Sequence, residues 1–300
     1  MKILVVGAGV TGCYTASKLA EKGLPVSLYA RGARAEGLAA AGLRMRDGIS
    51  GEERRVHLDL RSGPVSEEFD LTMVCVQAIH RPALLPLLAG LPGRPTIWFL
   101  GNTAAGFEAE AAQLGRHRVL GGFPGVGGTW DGDLLVYADR RRPQDPPFDT
   151  LVLGEAYPQA SPAAARVAAE LTSTGMKIER YSPIMDWHLS HLALILPLAE
   201  LFYSCNSSVE AAAADRAALK ECMRAIRGSF TALKRSGHTI LPPRLNLFRY
   251  IPAGLGARKL AALITSDFGR IALAGHAATA KAEMQNLHAG FDSAVRSAKR

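Results

Sequence analysis

Lys2-Ile3-Leu4-Val5-Val6-Gly7-Ala8-Gly9-Val10-Thr11-Gly12-Cys13 couples a short apolar run to three glycines spaced G-x-G-x-x-G. Branched side chains that end in glycine predict a buried strand stopping at a tight turn. From Tyr14 to Lys22 alanine and leucine recur at helical spacing, so a helix follows the turn. Strand, glycine turn and helix in that order are the setting in which this spacing signals dinucleotide binding. Gly7 permits the turn, Gly9 admits a pyrophosphate against the backbone, and Gly12 lets the helix lie close on the strand. Val10 and Thr11 complete the candidate phosphate loop. The helix start offers its N–H groups and the positive end of its dipole to the phosphates.

The next apolar run, Val26 to Ala30, predicts the second strand. Sheets that take NAD often place Asp or Glu at its end, on the ribose hydroxyls. Here the run ends Leu28-Tyr29-Ala30 and continues Arg31-Gly32-Ala33-Arg34, with no acid and two guanidiniums. A guanidinium matches a phosphate with paired hydrogen bonds. The reading is NADP(H), with Arg31 on the 2′-phosphate; the alternative is that both arginines are solvated residues at a helix start.

Further strands are expected at Leu71–Val76, Thr96–Leu100, Val119–Gly122, Leu134–Tyr137 and Leu151–Leu153, and helices at His80–Ala89, Ala105–Leu114 and Pro162–Thr174. Such alternation argues for a parallel sheet with helices on both faces. The charged, proline-rich segment from Asp139 to Asp149 reads as a solvated surface loop. After about Tyr181 helical periodicity takes over, at Met185–Ser204, Val209–Gly228, Phe230–Ser236 and Ser266–His288. The fold class is therefore α/β: an N-terminal parallel-sheet domain over 1–180 and a C-terminal all-α domain over 181–300.

The chain has 300 residues, 48% of them hydrophobic and 21% charged, which suits an ordinary globular protein of two domains. The longest apolar stretch, Leu189 to Phe202, is interrupted by Ser190, His191, Pro197 and Glu200, so no membrane span is expected. The N-terminal apolar run is too short for a signal peptide, and a cytoplasmic location is expected. Cys13, Cys75, Cys205 and Cys222 lack metal-ligand spacing and read as reduced thiols, with no metal. The net charge of +8 comes from scattered arginines. An anionic cofactor and a small anionic or carbonyl substrate account for it better than nucleic acid.

Beyond these local signals, the chain resembles the ketopantoate reductase (2-dehydropantoate 2-reductase) family from end to end. The resemblance lies in GAGVTG from Gly7, YARGARAEGLAAAGLRM from Tyr29, FLGNTAAG from Phe99, RVLGGFPGVGG from Arg118, SPIMDWHLSHLALILPLAELFY from Ser182 and GHAATAKAEMQNL from Gly275. It implies a Rossmann-type NADPH domain, a helical substrate and dimerisation domain, a cleft between them, and a place in pantothenate biosynthesis. The implied reaction is hydride transfer to a 2-keto acid. Arg31 matches the family's 2′-phosphate arginine, and Asn102 the asparagine beside nicotinamide and substrate. Asn102 read by itself is either such a ligand at a strand's carboxyl end or a turn residue. Gly121, Gly122, Gly125, Gly127 and Gly128 are expected to let a loop approach the cofactor.

The chain departs from the family where a proton donor is implied. That donor is a lysine two residues after a tryptophan; Trp187 matches the tryptophan, and Leu189 stands at the lysine position. Ala193 replaces an asparagine one turn on. Residues 189, 193 and 196 share a helix face, here Leu, Ala and Leu. His188 and His191 lie about 100° and 200° from Leu189 and are expected to point away from the cleft. His191 is still the best replacement acid this helix offers. Pro197 is expected to kink the helix. The family's late glutamate aligns with Thr279. His276, Thr279 and Glu283 form one stripe, with Glu283 either in the cleft or a solvated helix residue. Gln77 replaces a phosphate-binding lysine, with His80 three residues on.

The candidate catalytic residues are thus Asn102, His191 and Glu283, with His276 or water as other proton sources. The candidate cofactor residues are Gly7, Gly9, Val10, Thr11, Gly12, Arg31, Gln77 and Asn102. The expected function is an NADPH-dependent reductase acting poorly on ketopantoate and better on a bulkier or less polar carbonyl. One alternative is a catalytically inactive NADP(H)-binding sensor or partner. Another is a related opine or 3-hydroxyacid dehydrogenase.

Overall fold

A computed structural model describes residues 1–145, 147–148, 150–274 and 281–297. Its strands are β1 Ile3–Val6, β2 Val26–Tyr29, β3 Leu43–Asp47, β4 Glu53–Val56, β5 Asp59–Arg61, β6 Leu71–Val74, β7 Thr96–Leu100, β8 Val119–Pro124, β9 Gly127–Asp131, β10 Leu134–Ala138, β11 Thr150–Glu155 and β12 Lys177–Arg180. Its helices are α1 Val10–Glu21, α2 Gly32–Ala41, α3 Leu85–Ala89, α4 Glu108–Leu114, α5 Ser161–Ser173, α6 Ile184–Ser204, α7 Val209–Ala214, α8 Arg216–Arg235, α9 Ala253–Ile264 and α10 Lys281–Ser297.

Eight strands form the main sheet, in the order β12-β11-β8-β7-β6-β1-β2-β5. β1, β2, β6 and β7 are buried along their whole length, as parallel strands covered on both faces must be. Tyr14, Ala16 and Leu19 of α1 and Ala164, Val167 and Leu171 of α5 share one core with the sheet. Leu85 and Leu88 of α3 and Ala111 and Leu114 of α4 belong to a second core. β1 pairs in parallel with β2 on one side and with β6 on the other. The chain order therefore reverses between β1 and β6, where open sheets of this kind leave a crevice at their carboxyl ends.

The main sheet is parallel, as expected, except at one pair. β11 runs antiparallel to β8 because β8 leads into a separate four-stranded sheet, ordered β4-β3-β10-β9, before the chain returns. β3 alternates buried and partly buried residues through Leu43-Arg44-Met45-Arg46-Asp47, so its arginines line the outer face of a real strand. The segment from Asp139 is not simply a solvated loop. Asp139 is fully buried and accepts a hydrogen bond from Tyr14 Oη at 2.8 Å. Arg140 bridges Asp139 at 3.1 Å and Asp47 at 3.2 Å, tying α1 to the second sheet.

Other boundaries shift for local reasons. The helix expected over 80–89 breaks into two 3-10 turns, Ala78–His80 and Pro82–Leu84, before α3, because Pro82 and Pro86 cannot donate inside a helix. Asp215 separates α7 from α8 and caps α8 by accepting from the Ala217 and Ala218 amides, both at 2.9 Å. α8 then runs unbroken through Gly228 to Arg235. α6 stays helical through Pro197. Of the helix expected over 266–288, the described residues form a π-helical turn Gly269–Ala274 and α10 from Lys281, and residues 275–280 lie outside the described residues. The helices from α6 onward share a core built on Leu192, Leu196, Ile226, Phe230 and Leu287. No helix among the described residues is long and apolar enough to cross a membrane.

Tyr14→Phe should leave the Asp139 carboxylate short of a buried donor. The expected loss is about 1–3 kcal/mol of unfolding free energy, read as a lower urea midpoint at unchanged slope.

Candidate active site

A cavity of about 990 Å³ opens at the carboxyl edge of the main sheet, large enough for a dinucleotide's reactive end together with a small substrate. Its floor comprises Gly7, Ala8 and Gly9 after β1, Cys75 to Gln77 after β6, Gly101 and Asn102 after β7, and Phe123 to Gly125 at the end of β8. Val10, Thr11, Gln77, Asn102, His191 and Glu283, each singled out in the sequence, all line it.

The glycine turn fits a pyrophosphate by its free space. Gly7 adopts φ +111°, and a Cβ there would meet the Cys75 carbonyl oxygen at 2.7 Å. A Cβ on Gly12 would overlap the Gly7 carbonyl oxygen, so Gly12 lies beneath the cavity and seats α1 on β1. A Cβ on Gly9 would meet nothing within 4 Å, so the space above Gly9 is open. α1 has no side-chain cap at its start and no acid in its first turn, which leaves its amide donors and dipole for an anion.

Arg31 does not line the cavity. It is exposed at the end of β2, as the N-cap residue of α2. Arg34 is engaged by Trp130, with its guanidinium 3.6 Å from the ring centroid. Gly121 and Gly122, within β8, are pressed against the protein rather than the cavity. A Cβ on Gly121 would meet the Phe107 ring at 2.7 Å, and one on Gly122 would overlap the Val152 carbonyl oxygen and Trp98. Gly125, Gly127 and Gly128 do border the cavity, but they too are crowded by Thr150, Ala272 and Val136.

The face of α6 that meets the cavity also differs from the expected one. It carries Trp187, His191, Ile195, Leu198 and Phe202, spaced along one side of the helix. Leu189, Ala193 and Leu196 are buried in the helical core instead. His191 therefore faces the cavity rather than away from it, stacked on Trp187 at 5.2 Å between centroids and 4.4 Å from Phe123. His188 points into the protein, fully buried beside Phe107 and Trp187. Neither of its nitrogens has a hydrogen-bond partner among the described residues. Burial, with the positive charge of Arg81 adding to it, holds His188 neutral, its pKa well below the usual histidine value.

Asn102 and Glu283 are the two most deeply buried polar side chains in the cavity wall. Asn102 is 5% exposed, and its Oδ1 has no hydrogen-bond partner among the described residues. Glu283, on the first turn of α10, is 3% exposed and is no solvated helix residue. Burial pushes its carboxyl up to about 7, against a smaller downward pull from Arg81. His276 and Thr279 lie outside the described residues. Sequence reading missed Arg81 altogether: it is 1% exposed and donates from Nη2 to the Asn102 carbonyl oxygen at 3.3 Å. Among the described residues no group of three or more His, Cys, Asp or Glu could hold a metal ion.

The last two glycines of the turn should separate cleanly on substitution. Gly9→Ala should change unfolding stability by about 1 kcal/mol or less yet weaken dinucleotide affinity about tenfold or more. Gly12→Ala should cost about 1–3 kcal/mol of stability itself. Thermal unfolding and a calorimetric titration of each variant check both outcomes.

Residues 3–143 match the family model described as ketopantoate reductase PanE/ApbA. No curated protein matches the sequence. Among solved structures, 2-dehydropantoate 2-reductase from Geobacter metallireducens GS-15 is similar over 98% of this chain and 100% of its own, at 18% identity and a TM-score of 0.69. A PanE/ApbA family ketopantoate reductase from Ralstonia eutropha JMP134 covers 100% of both chains at 19% identity and a TM-score of 0.66. D-mandelate dehydrogenase, solved with NADH and anilino(oxo)acetate, covers 100% of both at 14% identity and a TM-score of 0.66. At such identities the structural likeness speaks for the fold. The glycine turn, the arginine-tipped β2 and the Asn102 turn all lie inside the matched segment, so residues 3–143 carry the likeness to the ketopantoate reductase family.

Proposed function

We propose that this chain is an NADP(H)-dependent reductase that converts a small 2-keto acid, or a related carbonyl, to the corresponding alcohol. In this reading residues 1–180 hold the cofactor and residues 181–300 close the substrate side. The observation that carries the proposal is Glu283: a buried carboxyl in the cavity wall, held at about 7, in the same chamber as Asn102. Two neighbours carry the same chemistry in their names: the Geobacter protein is a 2-dehydropantoate 2-reductase, and D-mandelate dehydrogenase was solved with NADH.

When bound, the reduced nicotinamide supplies a hydride to the carbonyl carbon. The chain's own residues do the rest. The uncapped start of α1 and the open backbone at Gly9 bind the pyrophosphate. Arg31, at the end of β2, takes the 2′-phosphate, with Gln77 at the next strand end along the cavity floor. The Asn102 amide orients the carbonyl by donating from Nδ2, while its Oδ1, without a hydrogen-bond partner among the described residues, accepts from a donor on the ligand. Glu283 gives its proton to the carbonyl oxygen as that oxygen becomes an alcohol. A carboxyl with a pKa near the working pH is well matched to this task. His191 borders the same space.

Leu189 and Ala193 argued for a chain without catalysis. Both lie in the core of the helical region, so their apolar character says nothing about the cavity wall. On its α6 side the wall presents Trp187, Ile195, Leu198 and Phe202 beside His191, which suits a substrate with an apolar side chain on that side.

Glu283→Gln should lower kcat for reduction by roughly 10²–10⁴ while leaving the NADPH dissociation constant within about twofold. In the parent protein kcat should fall as pH rises through about 7, because reduction needs the protonated carboxyl. The reverse oxidation should rise over the same interval. Steady-state rates across a 2-keto acid panel check this, and an unchanged pH limb in Glu283→Gln would count against Glu283. Arg31→Ala should raise the dissociation constant for NADPH about tenfold or more and leave that for NADH nearly unchanged. Equal effects on the two cofactors would remove Arg31 from the phosphate site.

A further inference from the structure

One charged side chain in the sheet region has no part in the scheme above. Arg81 lies just after the 3-10 turn that follows β6, and it is 1% exposed. Its guanidinium lies over the rings of Phe99 and Phe107, 5.2 and 5.3 Å from their centroids. Nη2 donates to the Asn102 carbonyl oxygen at 3.3 Å, and Nη1 lies 3.7 Å from Glu110 Oε1 on α4. Nε has no partner among the described residues. Burying a guanidinium is expensive, and one loose ion pair offsets it poorly. Arginine also keeps its charge at any working pH, so the cation is permanent.

We propose that Arg81 is a positioning residue for the reduction: it anchors the Asn102 turn from below and sets a fixed positive charge behind the Asn102 and Glu283 side chains. This rests on the assignment of Glu283 as proton donor. Arg81 does not line the cavity, so it acts only through these two residues. Its charge lowers the proton affinity that burial gives Glu283. Glu110, facing the same guanidinium, offsets part of that charge, so Glu283 keeps a proton near neutrality. Among the described residues, further titratable groups on the same cavity or beside it are His80 from the turn after β6, Lys177 and Glu179 from β12, His191 and Tyr203 with Glu200 from α6, Arg244, and Lys281 on α10 itself. His80 and His191 border the cavity, and Lys281 lies over the Tyr203 ring.

The arrangement makes two predictions of opposite sign, which packing alone would not produce. Removing the cation in Arg81→Met should raise the Glu283 midpoint by about one pH unit or more. Removing its counter-charge in Glu110→Gln should lower the midpoint in the opposite direction. Arg81→Lys should stay near the parent value. The measurement is a carboxyl-detected NMR titration of the full-length chain labelled in glutamate, with Glu283→Gln identifying the resonance. The kcat pH profile of each variant runs beside it. Opposite shifts in the two variants support the proposal. A midpoint unmoved in folded Arg81→Met, or raised in Glu110→Gln, overturns it. If Arg81→Met fails to fold, the sign of the Glu110→Gln shift decides. Loss of turnover in the parent protein would count against the reductase reading, whereas an unmoved midpoint counts against Arg81 alone.

Discussion

The contact between Gly12 and the Gly7 carbonyl sets the rest of this structure. No side chain fits between them, so α1 lies directly on the end of β1. That places the start of α1 at the crevice between β1 and β6, with its amides turned toward the sheet edge. The same helix carries Tyr14, whose hydroxyl reaches Asp139 and, through Arg140 and Asp47, the second sheet. Glycines on that sheet receive the π-helical turn in turn: a Cβ on Gly48 or Gly127 would overlap Ile271 or Ala272. One close approach at the N-terminus thus propagates by packing to both walls of the cavity.

The chemistry depends on contrast within that cavity. Aromatic and aliphatic side chains from α6 and β8 make most of the wall near Glu283 a poor environment for charge. In such surroundings a carboxyl keeps its proton, whereas an arginine cannot give its proton up. In the proposed reduction Glu283 and Arg81 would divide two roles, a movable proton and a fixed charge. Asn102 lies between these roles, with its backbone bound to Arg81 and its side-chain oxygen left for a ligand.

Much of this was legible in the chain itself. The run Ile3–Val6 and the glycines after it fix a strand, a turn and a helix through local sterics, and β7 appears at Thr96–Leu100 as expected. β3 and β4 were not legible, because Arg44, Arg46, Arg54 and Arg55 give a strand face the composition of a loop. The facing of α6 was illegible for a different reason. It is apolar on nearly every side, and periodicity cannot tell a face against the core from one against a ligand cavity. Only tertiary packing assigns Leu189 to the core and His191 to the cavity. Arg81 left no trace in the sequence, since its partners come from separate elements.

A structure of the chain crystallised with NADPH and an unreactive 2-keto acid analogue is the most direct test of the account. The account requires the nicotinamide ring over the floor between Gly9 and Asn102, with the analogue's carbonyl oxygen within hydrogen-bond reach of both the Asn102 side chain and the Glu283 carboxyl. A nicotinamide lying elsewhere, or a carbonyl oxygen held by neither residue, would contradict it.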